Sequence, residues 1–129
     1  MTVRLNHTIV RSRDKHESAA FVARILGLGP PQRFGHFVTV ATGNDVSLDF
    51  DDASDVQPQH YAFLVDDEDF AAIFERVKAE GIDYFADPAH QRRGELNARD
   101  GGRGFYFSGP DGHNLEVLTR PYGSGGARG

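Results

Sequence analysis

The sequence predicts an α+β fold built from two copies of one β-α-β unit. The first observation is a repeat at a constant offset of 53 residues, without a gap, which pairs His7 with His60, Asp14 with Asp67 and Phe21 with Phe74. The second is an apolar stripe at helical spacing after each histidine-bearing strand. The third is a strand, turn and strand pattern behind each predicted helix. Together these observations favour a duplicated module.

The first copy begins with a β-branched run over residues 5–10, which predicts a strand. Asp14 is followed three residues later by Glu17, a capping-box variant, so a helix over 14–26 is expected with Asp14 as its N-cap. Phe21, Val22, Ile25 and Leu26 form the apolar face of this helix. Two strands follow, at 34–40 and 46–50, with a turn at 43–45 between them.

The second copy has a strand over 59–65 and a helix over 67–80. The helix carries Phe70, Ile73, Phe74 and Val77 at the spacing of one face, and acidic residues crowd its first turn, where the helix dipole favours them. Strands at 104–107 and 113–118 complete the copy, joined by a Gly-Pro-Asp-Gly turn over 109–112.

These patterns divide the chain into module one (1–52), a polar linker (53–58) and module two (59–122), which we expect to form one domain. The glycine-rich residues 123–129 are expected to be a flexible tail, and the polar stretch 87–102 to be a loop. Arg92, Arg93, Arg99 and Arg103 lie in or beside that loop.

Composition excludes several classes of function. The formal net charge is −5 and the basic residues are not clustered, so nucleic acid is not expected as a partner. Cysteine is absent, so disulfides, thiolate metal sites and cysteine nucleophiles are excluded, and a cytoplasmic location is expected. No stretch is apolar enough to predict a membrane span. A small-molecule substrate is therefore the expected partner.

His7, His60 and Glu116 are the residues that point to chemistry. Aligning strand 46–50 with strand 113–118 puts Asp49 opposite Glu116, so each copy reads histidine, helix, strand, strand, carboxylate. Two histidines and one carboxylate form the facial triad that binds a borderline divalent metal and leaves positions open for substrate. A single strand histidine is more often structural, but the matched pair with Glu116 favours a metal site.

The residues at 5–7, at 60–63 and especially at 105–116, with their Pro-Asp-Gly-His turn leading to Glu116, resemble the vicinal oxygen chelate superfamily. This superfamily groups glyoxalase I, extradiol dioxygenases, methylmalonyl-CoA epimerase, fosfomycin-resistance thiol transferases and bleomycin-binding proteins. The resemblance covers most of the chain, from residue 3 to about residue 122. It implies two βαβββ modules forming a cup-shaped half-barrel, and a homodimer in which modules are sometimes exchanged between chains.

By this resemblance His7, His60 and Glu116 are the ligands of a divalent metal, which is Fe, Ni, Zn, Mn or Co. Asp49 matches the glutamate that is a fourth ligand and base in glyoxalase I. Because aspartate is one methylene shorter, direct ligation and a role as a base beside the metal both remain open. Tyr106 matches a substrate-contacting tyrosine, although packing of the sheet is an equal alternative.

Three further residues are candidates for substrate contact. His36 is expected on a strand that lines the cup, where contact with substrate and a purely structural role are equally favoured. Arg92 or Arg103 would suit an anionic group of a substrate, although solvation at the surface is the favoured role for either one. His113 is expected to brace its turn, His16 to be solvated, and His90 to stay away from the cup.

The leading functional hypothesis is a metal-dependent enzyme that acts on a small oxygenated metabolite by glyoxalase- or epimerase-like proton transfer, with Asp49 as the base. The first alternative is an Fe(II) extradiol-type dioxygenase that uses the three-ligand set with Tyr106. The second, from a different class, is a metal-free drug-binding resistance protein of the bleomycin-binding type.

Overall fold

A computed structural model describes residues 2–125 and divides the chain into two compact units, residues 1–57 and residues 58–129. The first unit contains β1 (His7–Ser12), α1 (Lys15–Leu26), β2 (Gln32–Phe34), β3 (Phe37–Ala41) and β4 (Ser47–Asp52). The second contains β5 (His60–Leu64), α2 (Asp67–Ala79), a short 3-10 helix (Arg99–Gly101), β6 (Gly104–Ser108) and β7 (Asn114–Leu118). The division between the units lies within the predicted linker 53–58.

Each unit has one small open sheet. The first sheet has the strand order β1-β4-β3-β2 and the second has the order β5-β7-β6. In both sheets the first strand of the unit pairs in parallel with the last, and the remaining pairs are antiparallel. The predicted α+β fold made of two repeated modules is confirmed.

The strand register repeats between the two units. In the first sheet His7 pairs with Ser47 and Ile9 with Asp49, whereas in the second His60 pairs with Asn114 and Ala62 with Glu116. In both sheets a histidine lies two residues before the residue that pairs with the carboxylate-bearing residue, Asp49 or Glu116. The alignment of Asp49 with Glu116 therefore describes equivalent places in the two sheets.

Helix α1 packs against one face of the first sheet. Asp14 is its N-cap, as predicted, and its carboxylate accepts hydrogen bonds from the amides of His16 and Glu17. The helix ends at Gly27, whose left-handed φ of 69° is accessible to glycine at little cost. The apolar residues Val22 and Ile25 of the helix and Leu48 and Phe50 of β4 are all buried.

Aromatic residues form the core of the second unit. Phe70 of α2 packs edge-on against Phe105 of β6 with ring centroids 5.4 Å apart, and Phe74 lies 5.5 Å from the same ring. Phe70, Phe105 and Phe107 are fully buried, which removes a large apolar area from water. Since neighbouring residues on a strand point to opposite faces, Tyr106 lies on the face away from α2.

One predicted strand needs correction, and the structure identifies the N-cap of α2. Residues 34–40 do not form one strand, because Gly35, with φ of 61°, and His36 make the hairpin turn between β2 and β3. The N-cap of α2 is Asp66, whose carboxylate accepts a hydrogen bond from the Asp69 amide.

The second unit also departs from the repeat between α2 and β6. Where the first unit has β2, the second has only isolated bridges, from Phe85 to Arg93 and to Tyr106. The predicted tail begins with an ordered contact, because the Gly123 amide donates to the Asp100 carboxylate at 2.8 Å. Residues 126–129 of the predicted tail lie outside the described residues. Within residues 2–125, no helix has the length and hydropathy of a membrane span.

Candidate metal centre

Four polar side chains of the second unit share the sheet face opposite α2. Tyr106 of β6 pairs with Glu116 of β7, which in turn pairs with Ala62 of β5. His60 pairs with Asn114, and both lie two residues from those positions on the same face. The fold of this unit therefore brings His60, Tyr106, Asn114 and Glu116 together.

The imidazole of His60 and the carboxylate of Glu116 are in direct contact. His60 Nε2 lies 2.9 Å from Glu116 Oε1, and Glu116 is only 7% exposed. Two donors bound to one ion at about 2.1 Å, with an angle of about 90° between them, would be about 3.0 Å apart. The two atoms thus have the chemistry and the spacing of neighbouring ligands of a borderline divalent metal.

Tyr106 also contacts the carboxylate of Glu116. Its hydroxyl hydrogen-bonds Glu116, and its ring centroid lies 5.8 Å from that of His60. Arg99 Nη1 donates to the same hydroxyl at 2.5 Å. Because the phenol accepts from Arg99, its own proton is directed to Glu116. The result is a continuous chain of polar contacts from Arg99 through Tyr106 and Glu116 to His60.

This environment changes the acidity of the phenol. Burial is the largest cause and raises the pKa of Tyr106 above its ordinary value. The hydrogen bond from Arg99 opposes this effect, and the negative charge of Glu116 raises the pKa further. The phenol is therefore neutral at physiological pH and serves Glu116 as a hydrogen-bond donor.

His90 unexpectedly lies beside this group. Its Nε2 is 2.8 Å from Asn114 Oδ1, and the Asn114 amide donates to the carbonyl of Pro88 at 3.1 Å. The ring of His90 stacks on Phe85 at 4.2 Å, and its backbone has a left-handed φ of 57°. The loop after α2 is thus held against the strand that carries Glu116, contrary to the expectation that His90 stays apart.

The equivalent positions of the first unit are occupied by His7 and Asp49. Asp49 is 8% exposed, and its Oδ1 accepts a hydrogen bond of 2.6 Å from the Ser47 hydroxyl. His7 is exposed, and its Nδ1 lies 2.7 Å from the side-chain oxygen of Asn6. Glu116 has a neighbouring imidazole and a phenol, whereas Asp49 is held by a serine hydroxyl.

The three remaining substrate-contact candidates lie in other surroundings. His36 is in an exposed turn, with Nε2 3.7 Å from Asp51 Oδ2. Arg92 pairs with Glu95 at 3.0 Å in the exposed part of the loop. Arg103 pairs with the Asp67 carboxylate at 3.4 Å and lies 4.4 Å from the ring of Phe70, where it ties its loop to α2. Across residues 2–125, no group of three or more histidine or acidic side chains is arranged to hold a metal.

His113 braces its turn, as expected: its Nδ1 accepts from the Gln59 amide at 2.9 Å. Sequence reasoning missed the contacts of Arg99. This residue is one of four arginines in or beside a single loop, and nothing in the sequence distinguishes it from the others. The only available signal was its position seven residues before Tyr106, which carries no weight without the loop conformation.

Comparisons with known proteins agree with this architecture. Two solved structures, "Oxidase ChaP-H2" and "Oxidase ChaP-H1", are 57% and 58% identical to the chain, with TM-scores of 0.94 and 0.93. They cover 98% and 95% of the chain and are themselves covered completely. The Glutathione transferase FosA of Serratia marcescens is 33% identical over 120 residues, which is 88% of this chain and 78% of that protein.

The family assignment follows from a match that spans both units. The profile of the glyoxalase, bleomycin resistance protein and dioxygenase proteins matches residues 4–117, which include His7, His60, Tyr106 and Glu116. The chain belongs to the Glyoxalase/Bleomycin resistance protein/Dioxygenase superfamily.

Proposed function

We propose that this protein is a divalent-metal-dependent oxidase that acts on a small metabolite with two neighbouring oxygen atoms. The observation that carries the proposal is the contact between His60 and Glu116, with Tyr106 hydrogen-bonded to the same carboxylate. In addition, the chain is 57% and 58% identical, over nearly its whole length, to two proteins described as oxidases. His60, Glu116 and, by its matched place in the repeat, His7 would hold the metal. The bound metal would supply Lewis-acid polarisation of the substrate oxygens.

The residues of the chain have separable tasks in this proposal. Glu116 and His60 provide the paired donors, and Tyr106 keeps the carboxylate oriented by donating its phenolic proton. A supporting hydrogen bond of this kind fixes the direction of a metal ligand and commonly strengthens binding about 10- to 100-fold. Asp49, a buried carboxylate held by Ser47, is the candidate base for removing a proton from the substrate.

The reaction class is the oxidation of a vicinal diol. Two electrons and two protons would pass from the diol to O₂, leaving a dicarbonyl product and hydrogen peroxide. Ring cleavage, the dioxygenase alternative, would instead consume O₂ without releasing peroxide, because both oxygen atoms enter the product. Peroxide release therefore separates the two outcomes.

An oxygen-electrode experiment tests the proposal. Protein loaded anaerobically with Fe(II) would be mixed with catechol and with fused-ring vicinal diols, and both O₂ uptake and peroxide would be followed. We expect uptake with peroxide release in the native protein, and loss of both in His60→Ala and Glu116→Gln. His16→Ala is the matched control, since His16 is an exposed residue at the start of α1.

A second candidate function is proton transfer without oxidation, as in a lyase or isomerase. The buried Asp49 favours it, because a carboxylate withdrawn from water and held by one hydroxyl is suited to accept a proton from carbon. The same preparations would be tested anaerobically with the hemithioacetal of methylglyoxal and glutathione. Turnover without O₂, and its loss by about 10²–10⁴-fold in Asp49→Asn, would replace the oxidase proposal.

A further inference from the structure

Arg99 differs from the arginines around it in its partner. Arg92, Arg93 and Arg103 each pair with a carboxylate, at 3.0, 2.8 and 3.4 Å. Within residues 2–125, Arg99 pairs with no carboxylate, and its side chain donates to the neutral phenol of Tyr106. A guanidinium without a counter-ion, in a chain of net charge −5, retains its full attraction for an anion.

The backbone around Arg99 is fixed by its neighbours. Asn97 forms a bridge of two hydrogen bonds with Gly104 at the start of β6, and its side chain donates to the Ala86 carbonyl at 2.9 Å. Asp100 is buried and accepts from the Gly123 amide. Because these anchors flank Arg99 on both sides, the guanidinium is presented from a defined position and not from a freely moving loop.

Arg99 lies between the buried side chains of Tyr106 and Glu116 and the solvent. Tyr106, to which it is bound, is 2% exposed, whereas Arg99 is itself an exposed residue. Its guanidinium carries five N–H donors, and Tyr106 accepts from one nitrogen. The remaining donors form a planar fork that suits two oxygens of a carboxylate or phosphonate.

We propose that Arg99 is an anion-binding residue of this site and that the substrate carries an oxyanion group, such as a carboxylate or phosphonate, which the Arg99 fork receives beside Tyr106. The inference deepens the proposed function and rests on it for the role of the neighbouring His60–Glu116 pair. Arg99 thereby selects anionic substrates. In this proposal Arg99, and not Arg92 or Arg103, binds the anionic group of the substrate.

Two small anions test the proposal directly on the full chain. Binding of methylphosphonate would be followed by ³¹P NMR and binding of benzoate by ¹H saturation transfer, first without added metal and then with Zn²⁺. We expect saturable binding of at least one anion, with Kd raised at least tenfold, or about 1.4 kcal/mol, in Arg99→Gln. Arg99→Lys, which keeps the charge and loses the fork, should fall between the two.

Arg24→Gln is the matched control, because it removes the same charge from the exposed face of α1. It should leave the affinity for the anion unchanged. Equal affinity in the native protein and in Arg99→Gln, or an equal loss in Arg24→Gln, would overturn the inference. No saturable binding of either anion up to about 20 mM, or about −2.3 kcal/mol, would overturn it as well.

The measurement without metal separates this inference from the proposed function. If Arg99→Gln loses the anion while His60→Ala still binds Zn²⁺ normally, the inference stands and the metal assignment falls. If Zn²⁺ binding depends on His60 and Glu116 but anion binding is indifferent to Arg99, the metal assignment stands and the inference falls. Circular dichroism of each variant identifies any that has not folded, in which case Arg99→Lys decides.

Discussion

Replacing Tyr106 by Phe removes one oxygen atom from the centre of the proposed site. The phenylalanine ring keeps the packing of a residue that is 2% exposed, so the change tests the hydroxyl and little else. The lost hydroxyl accepts from Arg99 and hydrogen-bonds Glu116. The consequences for these two partners differ because their exposure differs.

Arg99 is exposed and can replace the phenol by water, so its lost bond costs little. Glu116 is buried, and loss of a donor leaves a carboxylate with one fewer partner. Removing a partner from a buried charged group costs about 1–3 kcal/mol, which is the expected drop in the free energy of unfolding. The affinity for Zn²⁺ should fall about 10- to 100-fold, because the oriented carboxylate loses its support.

Urea denaturation and calorimetric titration with Zn²⁺ measure the two effects. Tyr122→Phe is the control, since it removes the same hydroxyl from a side chain that is 83% exposed, and it should change neither quantity. If Tyr106→Phe matches the native protein in both stability and Zn²⁺ affinity, the Tyr106 hydroxyl does not support Glu116. The proposed series of polar contacts from Arg99 through Tyr106 to Glu116 would then be refuted.

Two further predictions concern stability. The pKa of Asp87 is affected most by desolvation, which raises it, but hydrogen bonds from the Arg92 and Gln91 amides outweigh this effect and lower the pKa below its ordinary value. The native state therefore favours the charged form, so the stability lost in Asp87→Ala should be largest above about pH 4 and should disappear as the pH falls through the lowered pKa. Acid titrations followed by fluorescence measure this loss, with Asp55→Ala, at an exposed residue, as the control. A loss of stability that does not depend on pH would contradict the prediction. The Ser12 hydroxyl is fully buried and, within residues 2–125, makes no hydrogen bond. Ser12→Ala should therefore leave the free energy of unfolding in urea unchanged or raise it by up to about 1 kcal/mol. A decrease of more than about 1 kcal/mol would contradict this prediction.

The sequence was sufficient to predict the repeated fold because the relevant signals are local. An apolar face at helical spacing, a capping aspartate and a Gly-Pro-Asp-Gly turn each depend on neighbouring residues, and the identical offset of His7 and His60 relates the two copies. The hairpin at Gly35 was missed because the flanking Phe34 and Phe37 continue the strand-like pattern. No pairing was predicted for Phe85, because its isolated bridges to Arg93 and Tyr106 join residues that no local pattern relates.

The site was predicted only in part for the same reason. His60 and Glu116 lie in strands whose register follows from the repeat, and the structure brings them to 2.9 Å. The roles of His90 and Arg99 depend on the path of the loop between α2 and β6, which is fixed by distant partners such as Asn114 and Gly104. No local pattern in the sequence encodes those pairings.

Metal content measured by elemental analysis tests the central claim most directly. The protein would be purified without a chelating affinity tag, incubated with Zn²⁺ and freed of excess ion before the metal-to-protein ratio is measured. We expect about one ion per chain in the native protein and in His16→Ala, and loss of most of the metal in His7→Ala, His60→Ala and Glu116→Ala with unchanged circular dichroism, because two remaining donors hold an ion poorly against water. Full occupancy in both His60→Ala and Glu116→Ala would contradict the account.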